Sequence, residues 1–398
     1  MPKIQAGTAL SHFKVVDLSR VRAGPACVRV LTDFGADVIR VEPPKGVDPN
    51  EALFADKRDG GDFQNLNRNK RSLTLNLKKP GALEILKRMI VDADVVIENW
   101  RPDIKKKLGV DYDSLAKINP RIVMASISGY GQDGPYASRA GFDQIMQGMG
   151  GLMSVTGEPG RGPMRAGIAV ADMSAGLYTA IGILTALLER ERSGRGQWVQ
   201  TSLLHSQIAM LDFQAARYLN DGDVPVQAGN DHPTSCPMGL FQAADGVFTL
   251  GASGEGHWVK LCEIIERPDL LADPAFKINK LRVASRARVN KELNQEFGKK
   301  PVAYWVEALN RVGVPAGPVY NVPQMFEDPQ VQHLEIDKPI TCDDGKVRHF
   351  ISLPMKLSRT PAEVVTRAPW WGEHTDEVLS ELGYSAEEIA RFHEDSVV

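Results

Sequence analysis

The segment VVDLSRVRAGPACVRVLTDFGADVIRVE, residues 15–42, alternates between two kinds of secondary structure. Val15–Ser19 and Asp37–Glu42 have the apolar, β-branched composition of buried strands. The stretch ACVRVLTDFG between them predicts a helix that ends near Gly35. A strand, a helix and a second strand of this length form a βαβ unit, whose strands pair in parallel through a right-handed crossover. The segment therefore predicts the beginning of an open α/β sheet.

The same alternation continues beyond this unit. SLTLNL and DVVIENW predict further strands on either side of a helix, GALEILKRMIVDA, that Pro80 opens, and RIVMASIS predicts one strand more. Strands that alternate with helices are typical of a parallel sheet covered on both faces. We therefore expect an α/β fold with a doubly wound, Rossmann-like large domain.

A polar, Gly- and Pro-containing stretch, LNDGDVPVQAGNDHPTS, interrupts the alternation and predicts a linker. After it, a strand pair around GLFQAADGVFTLGA and helices around HWVKLCEIIE and NKELNQEFGKK predict a smaller α+β domain. GVPAGPV is interpreted as the entry to a return segment, in which the chain goes back to the large domain. In the C-terminal tail, Ser385 and Glu388 predict a helix capping box. The expected domains are 1–205 (large), 206–230 (linker), 231–322 (small) and 323–398 (return to the large domain).

Composition narrows the function classes. The 398 residues carry a net charge of −3, which gives no electrostatic reason to expect nucleic acid as a partner. The N-terminal stretch lacks the apolar core of a secretory signal, and the longest apolar run, Leu177–Leu188, is too short to span a bilayer. The four cysteines are scattered and have no zinc-ligand spacing. We expect a cytoplasmic protein with no membrane partner and no bound metal.

The residues after each predicted strand indicate a ligand. In an open parallel sheet, ligands bind beyond the carboxyl ends of the strands. Those ends read RVRAGP, EPPKG, ENWRPD and GYGQDGP, a set rich in Arg and Lys, with Trp100 available to stack on a flat ring. Such a crevice suits an elongated anionic ligand. The first strand–helix turn lacks GxGxxG, which argues against a nicotinamide dinucleotide.

One carboxylate stands in apolar surroundings. Asp172 lies in GIAVADMSAG, residues 167–176, directly before a long apolar run. One interpretation makes it the N-cap of a helix predicted over Met173–Glu189. The other makes it a nucleophile that the helix N-terminus keeps ionised, with small neighbours leaving room for a substrate. The residues alone leave both open.

A series of motifs in one order covers nearly the whole chain, and it resembles the family III CoA-transferases. Formyl-CoA transferase, carnitine-related CoA-transferases and, as relatives, α-methylacyl-CoA racemases belong to this group. The motifs are VVDLSRVRAGP, FGADVIRVEPP, NRNKRSLTLNLK, ENWRP, NPRIVMASISGYGQDGP, AGFDQIMQGMGGLMSVTGEP, VADMSAGLYTAIGILTALLERERSGRGQWV and APWWGEHTDEVLSELGY.

The resemblance implies a covalent mechanism and an interlocked homodimer. Asp172 matches the family nucleophile, which forms an acyl–aspartyl anhydride and then an aspartyl–CoA thioester. No permanently bound cofactor is implied, because coenzyme A and acyl-CoA are substrates. The implied CoA contacts are Leu75, Lys78, Asn99, Trp100, Arg101, Lys107 and Arg139. Asp143 matches an acidic residue near the nucleophile, and His232 lies in a segment that resembles one near the active site of relatives.

Two departures from the family pattern narrow the chemistry. Phe142 stands where the racemases have histidine, and phenylalanine cannot transfer a proton. Arg22 replaces an apolar or amide side chain, and an arginine can bind the second carboxylate of a dicarboxylic substrate in a bidentate manner. We therefore expect a CoA-transferase that moves CoA from an acyl-CoA donor to a free, dicarboxylic acid. The alternatives are an acyl-CoA racemase or isomerase and a non-catalytic CoA-binding homologue.

Overall fold

A computed structural model describes residues 4, 6–48 and 58–398. In this part of the chain a six-stranded parallel sheet has the order β3-β2-β1-β4-β5-β6. Its strands are β1 (Lys14–Asp17), β2 (Asp37–Glu42), β3 (Arg71–Thr74), β4 (Val95–Glu98), β5 (Val123–Ser128) and β6 (Trp198–Ser202). This is the strand order of doubly wound dinucleotide-binding folds, and the predicted α/β class with a parallel sheet is confirmed.

The sheet separates two apolar cores. Successive strand side chains point to opposite faces, so Val15 and Val95 enter one core while Val16 and Val96 enter the other. The first core includes apolar side chains of the helices Ala23–Asp33 and Val170–Ser193. The second includes those of the helix Pro80–Asp92. Burial on both faces explains why consecutive residues of β1 and β4, Val15–Val16 and Val95–Ile97, are apolar.

The chain divides into two compact units. The main unit comprises Met1–Leu152, Arg165–Asn220 and Gln332–Val398. Besides the helices already given, it contains Gly61–Asn67, Pro102–Leu108, Tyr112–Ile118, Asp143–Met149, Leu203–Ala209, Thr375–Glu381 and Ala386–Glu394, and the hairpin of β10 (Asp337–Thr341) and β11 (Val347–Ile351). Ser385 and Glu388 form the predicted capping box. The short helix Leu152–Val155 and the helix Phe213–Asp221 lie at the unit boundaries.

The second unit comprises Met153–Met164 and Asp221–Val331. Its antiparallel sheet consists of β7 (Met238–Gln242), β8 (Val247–Gly251) and β9 (Ala316–Pro318). Its helices are Glu255–Ile264, Pro268–Ala272, Asn279–Ala284, Arg286–Phe297, Val302–Arg311, Val322–Glu327 and Pro329–His333, with a 3₁₀ turn at Pro274–Phe276. The rings of Phe248 and Trp305 pack edge-on against Phe297 at 5.0 and 5.1 Å between centroids.

The structure differs from the sequence prediction in three places. Residues 206–230, predicted as a linker, contain the end of the helix Leu203–Ala209 and the whole of the helix Phe213–Asp221. Ala316–Pro318, interpreted as the entry to a return segment, forms β9 instead, and the main unit resumes at Gln332. Met153–Met164 lies within the range 1–205 that was predicted as the large domain, but it belongs to the second unit. There the Gln227 side chain donates hydrogen bonds to the carbonyl oxygens of Thr156 and Gly162, both at 2.6 Å.

One helix of the described chain, Val170–Ser193, is long and apolar enough to cross a membrane by length and composition alone. Half of its most apolar stretch of 18 residues is buried inside the protein, and the core helix of a soluble protein has the same length and composition. This feature is weak evidence for a membrane span. The predicted cytoplasmic location stays a prediction.

The ion pair between Asp17 and Lys70 generates a stability prediction. Both side chains are fully buried, and the Lys70 Nζ lies 2.9 Å from Asp17 Oδ2. Asp17→Asn leaves a buried ammonium without its counter-charge, so we expect a loss of about 3–5 kcal/mol in the free energy of unfolding. Urea denaturation measures it. The control is Asp92→Asn, which breaks an exposed pair with Lys14 and should cost less than about 1 kcal/mol. Equal losses in the two variants would contradict the prediction.

Candidate active site

The point where the sheet reverses its strand order lies between β1 and β4. A cavity of about 680 Å³, here called the strand-end cleft, lies beyond the carboxyl ends of the strands around this point. Six residues with an implied CoA contact line it together: Leu75, Lys78, Asn99, Trp100, Arg101 and Lys107. The structure thus brings this predicted set into one cavity, and its binding of CoA stays a prediction.

The cleft combines an apolar wall with exposed cations. Leu75 is buried in the second core, whereas Lys78 and Arg101 are exposed. The Lys107 ammonium lies 3.2 Å from Asp103 in an exposed pair one helical turn away. The Trp100 backbone N–H donates to the Glu98 carboxylate at 2.8 Å, which fixes the loop that presents the indole. A flat ring and an anionic group are the ligand parts that such a cavity suits.

Two of the predicted residues lie elsewhere. Arg139 stacks on Tyr136, with its guanidinium carbon 3.7 Å from the ring centroid. His232 belongs to the second unit, where it lines a cavity of about 590 Å³ and its Nδ1 accepts from the Thr234 backbone N–H at 3.3 Å. The structure gives these two residues local contacts, and their predicted roles stay predictions.

A second cavity of the main unit, here called the arginine cavity, has a volume of about 470 Å³. Four arginines line it: Arg20, Arg22, Arg40 and Arg58. It shares Arg20, Val41, Glu42, Pro43 and Asp48 with the strand-end cleft, so the two cavities adjoin. Arg22 donates to Asp62 Oδ2 at 2.7 Å, and its side chain is one-third exposed. Sequence reasoning missed Asp62 as the partner of Arg22, since forty residues separate them.

The helix that carries Asp172 begins earlier than the sequence predicted. It spans Val170–Ser193, with Ala169 at the N-cap position, so Asp172 is its third residue. The cap interpretation of Asp172 is therefore wrong. The carboxylate of Asp143 caps the helix instead, because its Oδ1 accepts from the backbone N–H groups of Ala171 at 2.9 Å and Asp172 at 3.4 Å. A side chain from another helix thus satisfies the first free amides.

Gln147 holds Asp143 in place. Its Nε2 donates to Asp143 Oδ2 at 2.7 Å and to the Ile168 carbonyl oxygen at 3.0 Å. Its Oε1 accepts from the Ala166 backbone N–H at 2.9 Å, so one buried amide connects the capping carboxylate to the loop before the helix. Sequence reasoning missed Gln147, although its spacing of four residues from Asp143 on one helix was a usable signal. The neighbouring Phe142 is 65% exposed.

Asp172 itself occupies an unusual electrostatic position. Within the described residues its carboxylate accepts no hydrogen bond, since Asp143 takes the nearby helix amides. Burial raises the pKa of Asp172 to about 6, the Asp143 charge raises it as well, and Arg22 lowers it. At neutral pH the group is therefore mainly an ionised, poorly solvated carboxylate.

A close helix contact brings Arg22 toward Asp172. The helix Ala23–Asp33 follows Arg22 directly and packs along the helix Val170–Ser193. At their crossing, a Cβ on Gly176 would lie only 2.6 Å from the Ala23 carbonyl oxygen. Only glycine permits this approach without moving a helix backbone. The N-terminal ends of the two helices, with Arg22 directly before one and Asp172 in the first turn of the other, therefore lie close together, and the Arg22 charge lowers the pKa of Asp172.

Comparisons with known proteins identify the family. Residues 10–375 match the family described as CoA-transferase family III, so the chain belongs to this family. It is 40% identical to the succinate–glutarate CoA-transferase of Agrobacterium fabrum, over 94% of this chain and 95% of that protein. It is 35% identical to the succinyl-CoA:mesaconate CoA-transferase of Haloarcula marismortui, over 94% and 96%. A CAIB/BAIF family protein from Brucella suis has a similar crystal structure, with a TM-score of 0.81, 36% identity, and 94% and 100% coverage.

The predicted resemblance and the predicted enzyme class are confirmed: the protein is an enzyme of the CoA-transferase type. The non-catalytic alternative is thereby set aside. CoA thioesters and carboxylic acids are the substrates with which such enzymes work.

The raised pKa of Asp172 generates a prediction about stability and pH. Its pKa in the folded protein lies above the ordinary aspartate value, so folding favours the protonated form. Ionised Asp172 therefore lowers the stability of the native state by a free energy on the order of 3 kcal/mol at full effect. This loss is absent below about pH 4, grows as the pH rises, and is complete above about pH 6. We expect Asp172→Asn to raise the free energy of unfolding at pH 7–8 and to leave it unchanged at pH 4.

Urea denaturation across this pH range measures the effect. The matched control is Asp133→Asn, which removes an exposed aspartate from a loop of the same unit and should give no such pH-dependent gain. A gain of equal size at pH 4 and pH 8 would attribute the effect to packing and contradict the electrostatic explanation.

Proposed function

We propose that this enzyme transfers CoA from an acyl-CoA donor to a free dicarboxylic acid, with Asp172 as the covalent nucleophile. The observation that carries the proposal is the state of the Asp172 carboxylate. It is largely desolvated and accepts no hydrogen bond from the described residues. Its pKa is lowered by the charge of Arg22, which lines a cavity that adjoins the strand-end cleft. A carboxylate that only stabilised the fold would use the helix amides that Asp143 occupies here.

The first half-reaction loads the enzyme. An Asp172 carboxylate oxygen attacks the thioester carbonyl carbon, the C–S bond breaks, and CoA thiolate leaves with the bonding electrons. The product is a mixed anhydride between Asp172 and the acyl group. The thiolate then attacks the Asp172 carbonyl carbon of the anhydride, which releases the donor acid as a carboxylate and leaves an aspartyl–CoA thioester.

The second half-reaction reverses these steps with a different acid. The acceptor carboxylate attacks the aspartyl–CoA thioester, forming a second anhydride and releasing thiolate again. The thiolate attacks the acceptor carbonyl carbon, which gives the new acyl-CoA and restores the Asp172 carboxylate. Every step exchanges one oxygen or sulfur substituent on a carbonyl carbon, so none requires net oxidation or an added proton.

The strand-end cleft is the proposed CoA site. Trp100 supplies an aromatic face, and Lys78, Arg101 and Lys107 supply exposed cations around the same cavity. These groups match an adenine ring and phosphates in chemistry. A racemase is disfavoured because Phe142, next to Asp143, cannot transfer a proton.

Two observations support a dicarboxylic substrate. The relatives named above carry succinate, glutarate or mesaconate in their names, and each of these acids has two carboxylates. Arg22 offers this chain a cation beside the nucleophile. After one carboxylate has joined Asp172 as an anhydride, the second can pair with the guanidinium.

We also propose that the protein is a homodimer. The helix Val170–Ser193 exposes an apolar face in the described chain, formed by Leu177, Tyr178, Ile181, Leu184 and Leu188. A contiguous apolar surface of this kind is typical of a protein–protein contact. The interlocked form of the dimer rests on the family resemblance alone.

The nucleophile is tested by trapping. Asp172→Ala should abolish transfer while leaving acyl-CoA binding, because the carboxylate attacks the thioester and is not expected to hold CoA. Since Asp172 accepts no bond from the helix amides, the variant should fold. In the parent enzyme, acyl-CoA with hydroxylamine should leave a hydroxamate on the peptide that contains Asp172, as measured by mass spectrometry. Retained transfer in the variant, or a label on a cysteine, would overturn the assignment.

Arg22→Leu tests the substrate class. In the parent enzyme, succinate-like acceptors should react better than butyrate-like acceptors of equal length, and the variant should narrow this gap. A charge-assisted hydrogen bond in a partly closed pocket contributes roughly 1.5–3 kcal/mol, which is about ten- to a hundredfold in kcat/KM.

The matched control is Arg192→Leu, which removes an exposed arginine near the far end of the helix Val170–Ser193 and should keep the preference. If the parent enzyme uses both classes of acid equally well, the dicarboxylate proposal fails while transfer itself stands.

A further inference from the structure

Val21, between two arginines of the arginine cavity, has a backbone conformation that its side chain disfavours. Its φ is 66°, in the left-handed region where the Cβ of a β-branched residue crowds the neighbouring carbonyl. The side chain is 47% exposed, so close packing does not hold it in this state. Residues in such conformations persist only where surrounding contacts impose them, and they cluster at functional sites.

The imposing contact comes from Asn99. Its Oδ1 accepts from the Arg20 backbone N–H at 2.8 Å, and its Nδ2 donates to the Arg20 carbonyl oxygen at 2.7 Å. Arg20 follows β1 and Asn99 follows β4, so this pair of bonds, here called the Asn99 clamp, joins the ends of two neighbouring strands. Both polar atoms of the Asn99 side chain therefore form hydrogen bonds with the main chain of Arg20.

The residues on either side of Val21 are fixed independently. Before it, the Ser19 backbone N–H donates to Asp17 at 2.9 Å. After it, the Arg22 carbonyl oxygen accepts from the Ala26 N–H at 2.8 Å, so Arg22 already belongs to the first turn of the next helix. The chain therefore turns at Val21 between fixed neighbours, and the Asn99 clamp holds the residue that directly precedes the turn.

We propose that Asn99 is a positioning residue for substrate selection, which holds Val21 in its strained conformation and so presents Arg22 to the acid bound at Asp172. The proposal rests on the proposed function for the role of Arg22. Without the clamp, Val21 relaxes to a negative φ and the Arg22 side chain turns away from Asp172. Specificity for the second carboxylate thus depends on a residue whose side chain bonds to the backbone of a neighbouring loop.

The strain itself is tested by stability, without any activity. Glycine adopts a φ of 66° at no steric cost. Val21→Gly should therefore raise Tm in the parent protein, where the clamp enforces the strain. In an Asn99→Ala background the valine can relax, so Val21→Gly should give no increase in Tm or a decrease. An equal change of Tm in the two backgrounds would show that Asn99 and Val21 are energetically independent. It would overturn the claim that the Asn99 clamp imposes the conformation of Val21.

Substrate selection is tested with the same three variants. Asn99→Ala should lower the ratio of kcat/KM for a diacid over its matched monoacid by about tenfold, the loss expected when a charge-assisted bond is no longer formed. Burial and Asp143 raise the pKa of Asp172, and Arg22 lowers it. When Arg22 turns away in the Asn99→Ala variant, the pKa of Asp172 should rise, and the acidic limb of the pH–rate profile should move to higher pH. The double variant Asn99→Ala/Val21→Gly should recover part of both effects, since glycine keeps the turn without the clamp.

The outcomes separate this proposal from the proposed function. Loss of transfer with every acid in the parent enzyme would contradict the proposed function, and the Tm comparison would still decide the clamp. An Asn99→Ala variant that changes only the KM for acyl-CoA, with the diacid ratio and the pH profile unmoved, would assign Asn99 to CoA binding and overturn the positioning role. A double variant as impaired as Asn99→Ala alone would also overturn it.

Discussion

Three strands of the main sheet, β1, β2 and β4, end in a buried carboxylate, and the arrangement of the site depends on how these charges are neutralised. Asp17 pairs with Lys70, and Glu98 pairs with Lys105 at 3.0 Å. Glu42 pairs with Arg40 and Arg58, which line the arginine cavity. Asp17 and Glu98 also accept backbone N–H bonds from Ser19 and Trp100. Asp17 and Glu98 therefore fix the loops after their strands. The paired cations neutralise all three buried carboxylates, so these carboxylates do not leave an uncompensated negative charge next to the proposed site of an anionic substrate.

The sheet could be predicted from the sequence because its signal is local. Asp37–Glu42 is a strand with the predicted bounds, since Val38, Ile39 and Val41 are β-branched residues that favour a strand. The edge strand β6 was not recognised, because Trp198–Ser202 is only partly buried and half polar. β9 was also missed, since Ala316–Pro318 consists of three small residues whose strand character comes only from pairing with β8. Tertiary context decided these two elements.

The candidate site was predictable to the extent that it follows from strand ends. Six predicted CoA contacts lie around one cavity because parallel strands present their carboxyl ends at one edge. The environment of Asp172 was not predictable, since its helix is capped by Asp143, which lies 29 residues before Asp172 in the sequence. The Asn99 clamp spans 79 residues for the same reason. Residue types indicated the chemistry, but long-range hydrogen bonds determine which atoms remain available for it.

The bond between Arg22 and Asp62 has a consequence for turnover. This arginine already holds a carboxylate of the protein itself. In the proposed function, a diacid would therefore replace one carboxylate partner of Arg22 with another. Such an exchange would change the number of ion pairs little, so the guanidinium would discriminate between acids without retaining any of them strongly. A CoA-transferase releases one acid and admits another in every cycle, and a tightly held product would block the proposed site at Asp172. Because Asp62 would compete with the acid for Arg22, this pair would favour rapid exchange of acids over tight binding.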